Sequence, residues 1–145
     1  MQTQRFLHLR NIPARAASGA YILHSGLKKW SGSEEQAKGI HAMASNAYPF
    51  LTKVEPTTFL KALSVAEIGV GAALLTPFVH NRLAGAALTG FAGGLLGMYL
   101  RTEALHEPGS IWPTQAGTAI SKDVWMLGIG LGLMAEDSGR PASSN

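Results

Sequence analysis

The sequence contains no cysteine. This absence excludes protein disulfides, thiolate nucleophiles and metal or iron–sulfur sites with cysteine ligands, although it is compatible with any redox compartment. Charged residues are also scarce, at 14% of the chain, against about 25% in an average soluble domain. The net charge of +3 does not form a basic stripe with interleaved aromatic residues, so nucleic acid is not a predicted partner.

Motifs of several functional classes are missing as well. The sequence has no glycine-rich phosphate loop, catalytic-triad spacing or haem motif. Its five histidines lack the spacing of metal ligands, so no metal site is predicted. The N-terminal residues are not expected to be a cleaved signal peptide, because His8 and Arg10 interrupt the apolar stretch. The sequence therefore contains no motif from which a catalytic activity could be assigned.

Apolar residues are concentrated in four segments, although the mean hydropathy is only +0.11. The predicted spans are residues 13–30, 59–78, 82–100 and 117–135. The third has no charge between Arg82 and Arg101 and lacks the polar stripe of a soluble helix. Its length is close to the ~20 residues that cross a membrane. The fourth reaches that length only by including Lys122 and Asp123.

These segments predict an all-α fold, an integral membrane four-helix bundle over residues 13–135. Residues 1–12 precede the bundle and residues 136–145 form a polar tail. Pro13 is suited to the first turn of the first helix. The alternative is a soluble helical bundle with one buried central helix, which would not remain in carbonate-washed membranes.

A short amphipathic helix is predicted between the first two spans. It begins near Ser33, ends before Pro56 and lies at the membrane interface or over the end of the bundle. Its apolar positions are Ile40, Met43, Ala47, Phe50 and Leu51.

Glycines four residues apart predict faces where helices approach closely. These helix-packing residues are Gly90, Gly93, Gly94, Gly97, Gly128 and Gly132. The pattern leaves open whether the partner is another helix of this chain or another subunit.

Glu67 lies within the apolar run 59–78, where an unpaired ionised carboxylate would cost several kcal/mol. Alternating spans place polar residues of all four segments in the same half of the membrane, and such residues normally pair inside a bundle. The predicted polar intramembrane cluster is Tyr21, His24, Lys28, Lys29, Ser64, Glu67, Arg101, Lys122 and Asp123. Alternatively, the cations extend to lipid headgroups and a Glu67 ion pair only fixes the helix register.

The positive-inside rule does not by itself decide the orientation, because the positive charges on the two sides are nearly balanced in number. The arginine-rich N-terminus favours a multi-pass protein of the plasma membrane with both termini in the cytoplasm.

Four stretches carry a resemblance to a known family. They are SGAYILHSGLKKW, AEIGVGAALLTPF, GFAGGLLGMYLR and SKDVWMLGIGLGL, and the similarity covers residues 12–135. In these stretches the sequence resembles the DoxX-like small membrane proteins of actinobacterial type. The resemblance implies a four-helix membrane bundle associated with quinol- or thiosulfate-linked respiratory oxidoreductases. It supplies no catalytic residues.

Three functions are compatible with these features. The first is a small membrane subunit of, or accessory to, a quinone-linked respiratory complex. The second is a structural or assembly partner of a larger membrane complex, and the third is a small proton-coupled transporter. The expected ligands are quinone or lipid, with no covalently bound cofactor. The expected partners are membrane lipids and other membrane subunits or further copies of the chain.

Overall fold

The computed structural model describes residues 2–137, and this part of the chain is helical without a strand. Short 3₁₀ turns at Pro49–Lys53 and Glu103–Leu105 lie in two of the connections. The predicted polar tail lies outside the described residues from position 138 onward. The helices are α1 (Gln2–Trp30), α2 (Glu34–Ala47), α3 (Pro56–Leu75), α4 (Asn81–Arg101), α5 (Thr118–Ser121) and α6 (Asp123–Asp137).

Helices α3 and α4 are each long and apolar enough to cross a membrane. They cover most of the predicted spans 59–78 and 82–100. Helix α3 begins three residues earlier than predicted because Pro56, which lacks an N–H, fits its first turn. In the most apolar windows only 28% of α3 and 33% of α4 are buried. Most of their apolar surface therefore faces away from the rest of the chain.

Helix α1 is longer than predicted, because it begins at Gln2 and continues through Pro13. The prediction that the first helix begins at Pro13 is therefore wrong. A proline within a helix removes one backbone hydrogen bond, and here contacts hold the preceding turn in place. Arg10 and Asn11 in that turn both donate to the Glu136 carboxylate of α6. These contacts, first the hydrogen bond from Asn11 and then that from Arg10, lower the pKa of Glu136.

The fourth predicted span is not one continuous helix. Lys122 separates α5 from α6, whose first residue is Asp123. A carboxylate in the first turn is favourable because the helix dipole is positive there. The 15 residues of α6 extend about 22 Å, which is less than the ~30 Å hydrocarbon core.

A helix, α2, is present where the short amphipathic helix is predicted, and its location at a membrane interface stays a prediction. The Ser33 hydroxyl accepts a hydrogen bond from the Gln36 amide at 3.2 Å and so caps its first turn. Its buried face consists of alanines, including Ala37 and Ala44, and it packs over α3 and α4. Phe50 does not belong to the apolar face, because its side chain lies in the following 3₁₀ turn and is 69% exposed.

Contacts at the helix ends show that α1, α3, α4 and α6 run in alternating directions. Near the start of α3, Lys61 donates to the Trp30 carbonyl at the end of α1. At the end of α4, Arg101 donates to the Ala47 carbonyl of α2 at 3.3 Å. We call this end of the molecule, with residues 30–61 and 101–123, the loop end. The opposite end, with residues 10–15, 74–82 and 136, is the terminal end.

The closest helix contacts are made at glycines. A Cβ on Gly71 of α3 would lie 2.7 Å from the Leu23 amide nitrogen and 2.9 Å from the Gly19 carbonyl oxygen of α1. A Cβ on Gly130 of α6 would lie 2.9 Å from the Gly85 carbonyl oxygen of α4. Two helix pairs, α1 with α3 and α4 with α6, therefore approach with backbone against backbone. Helix α1 packs mainly against α3, and α4 mainly against α6.

Candidate functional site

A cavity of about 270 Å³ lies between the helices toward the loop end. All six helices contribute to its wall. The wall is mainly apolar, with Ile40 and Met43 of α2 and Phe91, Leu95 and Met98 of α4. Its charged lining residues are Lys29, Glu67 and Asp123.

The central polar contact in this cavity is the ion pair between Lys29 of α1 and Glu67 of α3. The Lys29 ammonium lies 3.0 Å and 3.1 Å from the two carboxylate oxygens, and it also donates to the Ser25 hydroxyl at 2.7 Å. The side chains are only 18% and 6% exposed. Since each charge would be costly to bury alone, each one stabilises the other in this position.

Small residues of α1 and α3 make this ion pair geometrically possible. A Cβ on Gly26 would lie 2.9 Å from the Cβ of Glu67, so the absence of a side chain there makes room for the glutamate. The fully buried Ser64 hydroxyl donates to the Gly26 carbonyl at 2.7 Å. Glycine and serine thus hold α1 against α3 at the level where Lys29 reaches Glu67.

Asp123 adds a second carboxylate to the cavity wall. It begins α6, and its charge interacts with both Glu67 and Lys29. One lysine and two carboxylates have a net charge of −1 when all three are ionised. The site can therefore donate hydrogen bonds from Lys29 and accept them at two carboxylates.

On α1, two of the side chains that line the cavity are shifted by one position along the chain from the predicted ones. Tyr21 lines the cavity although it is 68% exposed, whereas His24 and Lys28 are exposed and lie outside the lining. Ser25 and Lys29 occupy the inward positions. The reason is that the glycine contacts between α1 and α3 fix the rotation of α1, which the spacing of polar residues alone does not show.

Arg101 and Lys122 also lie outside the cluster in which they were predicted. Arg101 binds the C-terminal end of α2, where its guanidinium lies 5.1 Å from the Tyr48 ring centre and donates to Ala47. The unpaired carbonyls at that helix end attract the cation. Lys122 is exposed at the break between α5 and α6 and lines a different, external groove.

Arg15 has a structural role that was not predicted from the sequence. Arg15 lies in the middle of α1, and its guanidinium reaches the turn between α3 and α4 at the terminal end. Its five acceptors are the carbonyl oxygens of Ala73, Leu74, Thr76 and Val79 and the side-chain oxygen of Asn81, at 2.7–2.9 Å. The sequence feature that could have indicated this role is an arginine inside an apolar segment. Such an arginine can donate to the carbonyls that a helix end leaves without partners.

At most of the predicted packing glycines, an added side-chain carbon would meet no atom of the described chain. A Cβ on Gly90, Gly93, Gly94, Gly128 or Gly132 would meet nothing within 4 Å. Gly97 differs, because the Tyr48 hydroxyl lies over it and donates to the Gly94 carbonyl at 2.8 Å. The five glycines other than Gly97 are therefore not close-packing sites between the described helices. Packing of these glycines against another subunit stays a prediction.

Comparisons of the sequence and fold with protein-family models, with curated proteins and with solved structures give no match. The resemblance to the DoxX-like family therefore stays a prediction.

Proposed function

We propose that the chain is an integral membrane protein in which α1, α3, α4 and the α5–α6 segment form a four-helix membrane bundle. The low burial of α3 and α4 supports this, because the central helix of a soluble protein would be mostly covered. Apolar side chains stand exposed along each of the four long helices, including Leu27, Val65, Leu83 and Leu131. Lipid tails would cover this surface at no cost in hydrophobic free energy.

Membrane placement is tested by carbonate washing of membranes that contain the protein. The proposal expects the chain to stay in the pellet with integral membrane proteins. Release into the supernatant would favour the soluble helical bundle instead.

Within the membrane we propose a small subunit of, or accessory to, a quinone-linked redox complex. The supporting observation is the polar group Lys29, Glu67 and Asp123 in the wall of a mainly apolar cavity between helices. Ligand sites have this composition, with a few polar groups that fix orientation. A quinone carbonyl would accept a hydrogen bond from Lys29, and a quinol hydroxyl would donate to a carboxylate.

The size of the cavity limits what it would hold. Its 270 Å³ is just below the roughly 300–1,000 Å³ of pockets that enclose drug-sized ligands. We therefore propose that only the ring headgroup enters, while the isoprenoid tail stays among lipids.

Quinone binding is tested with purified protein in nanodiscs and a short-tailed quinone, by the amount of quinone retained per protein. Asp123→Leu should weaken binding about tenfold, since a hydrogen bond to a charged group contributes about 1.5–3 kcal/mol. The matched control is Glu35→Leu, which removes an exposed carboxylate of α2. Equal binding by the wild type and Asp123→Leu would overturn this site.

The role in a complex is tested separately by quinone reduction in membranes with and without the gene. The rate should fall without the gene for at least one sulfur or organic donor. Unchanged rates with every donor would contradict the redox role.

A second function, an assembly partner, is favoured by the glycines at which an added side-chain carbon would meet no described residue. Gly90 and Gly94 share one side of α4, as do Gly128 and Gly132 on α6, where another membrane helix could approach closely. Gly90→Leu should release a stoichiometric partner from mild-detergent extracts. Gly69→Leu is the matched control, because Gly69 is equally uncontacted but lies on α3. An unchanged set of co-purifying subunits would contradict this function.

A further inference from the structure

A groove on the outside of the molecule is separate from the central cavity. It encloses about 540 Å³ between the end of α4, the following loop and the start of α6. Its walls include Trp112 and Trp125, whose side chains are 72% and 69% exposed. Together with Leu100 and Val124, these rings form an apolar channel.

The loop wall of this groove is held in a defined position by hydrogen bonds. The buried Tyr99 of α4 donates its hydroxyl to the Ile111 carbonyl at 2.7 Å. The Glu107 amide donates to the Trp112 carbonyl at 2.8 Å, and the Thr114 amide donates to the Leu105 carbonyl at 3.0 Å. The Trp112 side chain is therefore exposed, while hydrogen bonds hold its backbone in place.

The polar residues of the groove are concentrated at the α5–α6 break. Ser121 and Lys122 line the groove there. Lys122 makes no ion pair or side-chain hydrogen bond with another described residue. The groove therefore combines apolar walls with a positive charge that has no ion-pair partner among the described residues.

We propose that this groove binds one anionic phospholipid, with an acyl chain between Trp112 and Trp125 and the phosphate at Lys122. This inference rests on the proposed membrane placement. The groove lies at the loop end of α4, where a span would end, and tryptophan is enriched at that level of a membrane. The charge of Lys122 complements an anionic headgroup, and the apolar walls would otherwise remain exposed.

The first test uses tryptophan fluorescence in liposomes of phosphatidylcholine with added phosphatidylglycerol. The chain has three tryptophans, so Trp30→Phe leaves emission from the two in the groove. At equal mole fraction, acyl-brominated phosphatidylglycerol should quench this emission more than acyl-brominated phosphatidylcholine. Lys122→Gln should reduce the preference about fivefold, the effect of one lysine near an anionic surface. Lys53→Gln, at another exposed position of the loop end, is the control and should retain the preference.

The second test separates a bound lipid from a lysine that merely extends to surrounding headgroups. Native mass spectrometry should detect one retained phosphatidylglycerol per protein. The double variant Leu100→Phe/Val124→Phe fills the channel but keeps Lys122, and it should lose that lipid. Val65→Phe adds the same ring to an exposed site of α3 and should retain it.

Equal quenching by the two brominated lipids, or lipid retention by the filled-channel variant, would overturn the proposed site. Either result leaves the membrane placement intact, because quenching by both lipids and retention of a lipid each require contact with the membrane. An absence of quenching by both lipids would contradict the membrane placement itself.

Discussion

At the residue scale, the buried Glu67 carboxylate is stabilised by its ion pair with Lys29 of α1, at 3.0 Å. An acidic residue in an apolar run needs a partner, and Lys29 was among the candidates. The sequence did not distinguish Lys29 from Lys28. The two side chains point about 100° apart on α1, and which of them faces α3 depends on the rotation of the helix. The glycine contacts that fix this rotation are not visible in the sequence. Arg101 was misplaced for a related reason, since the end of α2 offers it a competing set of carbonyls.

Replacing Glu67 should destabilise the protein to a degree that depends on the substituent. Glu67→Leu leaves the Lys29 ammonium buried without its ion-pair partner, and removing one partner of a buried pair costs about 3–5 kcal/mol. Glu67→Gln should cost less because the amide still accepts a hydrogen bond from Lys29. Unfolding in detergent would measure both.

The control for Glu67 is Glu34→Gln, which removes an exposed ion pair with Lys38. Exposed pairs contribute about 0–1 kcal/mol, so this change should have little effect. Equally small effects of Glu67→Gln and Glu67→Leu would mean that Glu67 is not held in the ion pair described here.

At the element scale, the apolar helices were the most predictable part of the fold. Two mainly apolar runs on either side of Pro77 located α3 and α4 to within a few residues. The start of α1 and the break before α6 were not predicted. At the start of α1, the preference of Pro13 for a first helical turn is outweighed by the contacts of Arg10 and Asn11 with Glu136 of α6.

Arg15 should stabilise the turn between α3 and α4 through the geometry of its guanidinium as well as through its charge. Arg15→Met removes every donor and leaves four carbonyls without this partner, so we expect a loss of about 1–3 kcal/mol or more. Arg15→Lys should be intermediate, because an ammonium has only three donors. Arg82→Met, an exposed site at the same end, should be nearly neutral. Equal stability of Arg15→Met and the wild type in detergent unfolding would contradict this role.

Two glycines of α3 offer a matched test of helix packing. A methyl group on Gly71 would meet the backbone of α1, whereas one on Gly69 would meet nothing within 4 Å. Gly71→Ala should therefore destabilise the protein by about 1–3 kcal/mol, as overpacking usually does. Gly69→Ala should be neutral or stabilising by up to ~1 kcal/mol, because alanine favours helix. Unfolding titrations of the two variants should separate them, and equal values would contradict the close contact of α1 with α3.

At the scale of the whole molecule, the alternation of the long helices places both described chain ends at the terminal end. Arg10 and Glu136 meet there, and Arg15 joins the α3–α4 turn to the same region. The loop end holds α2, the central cavity and the groove. Sequence periodicity could indicate the number of apolar segments and their alternation. It could not locate a cavity, because a cavity depends on how far apart the helices lie.

This alternation predicts the labelling pattern of introduced cysteines, for which a chain without native cysteine is well suited. In the proposed orientation, Ser31→Cys and Ser110→Cys lie outside the cell and should react with an impermeant maleimide in intact cells. His80→Cys, in the α3–α4 turn, should react only after permeabilisation, because the predicted orientation puts the terminal end in the cytoplasm. The reverse pattern would invert the orientation while retaining the bundle. Labelling of all three sites without permeabilisation would contradict a membrane between the two ends.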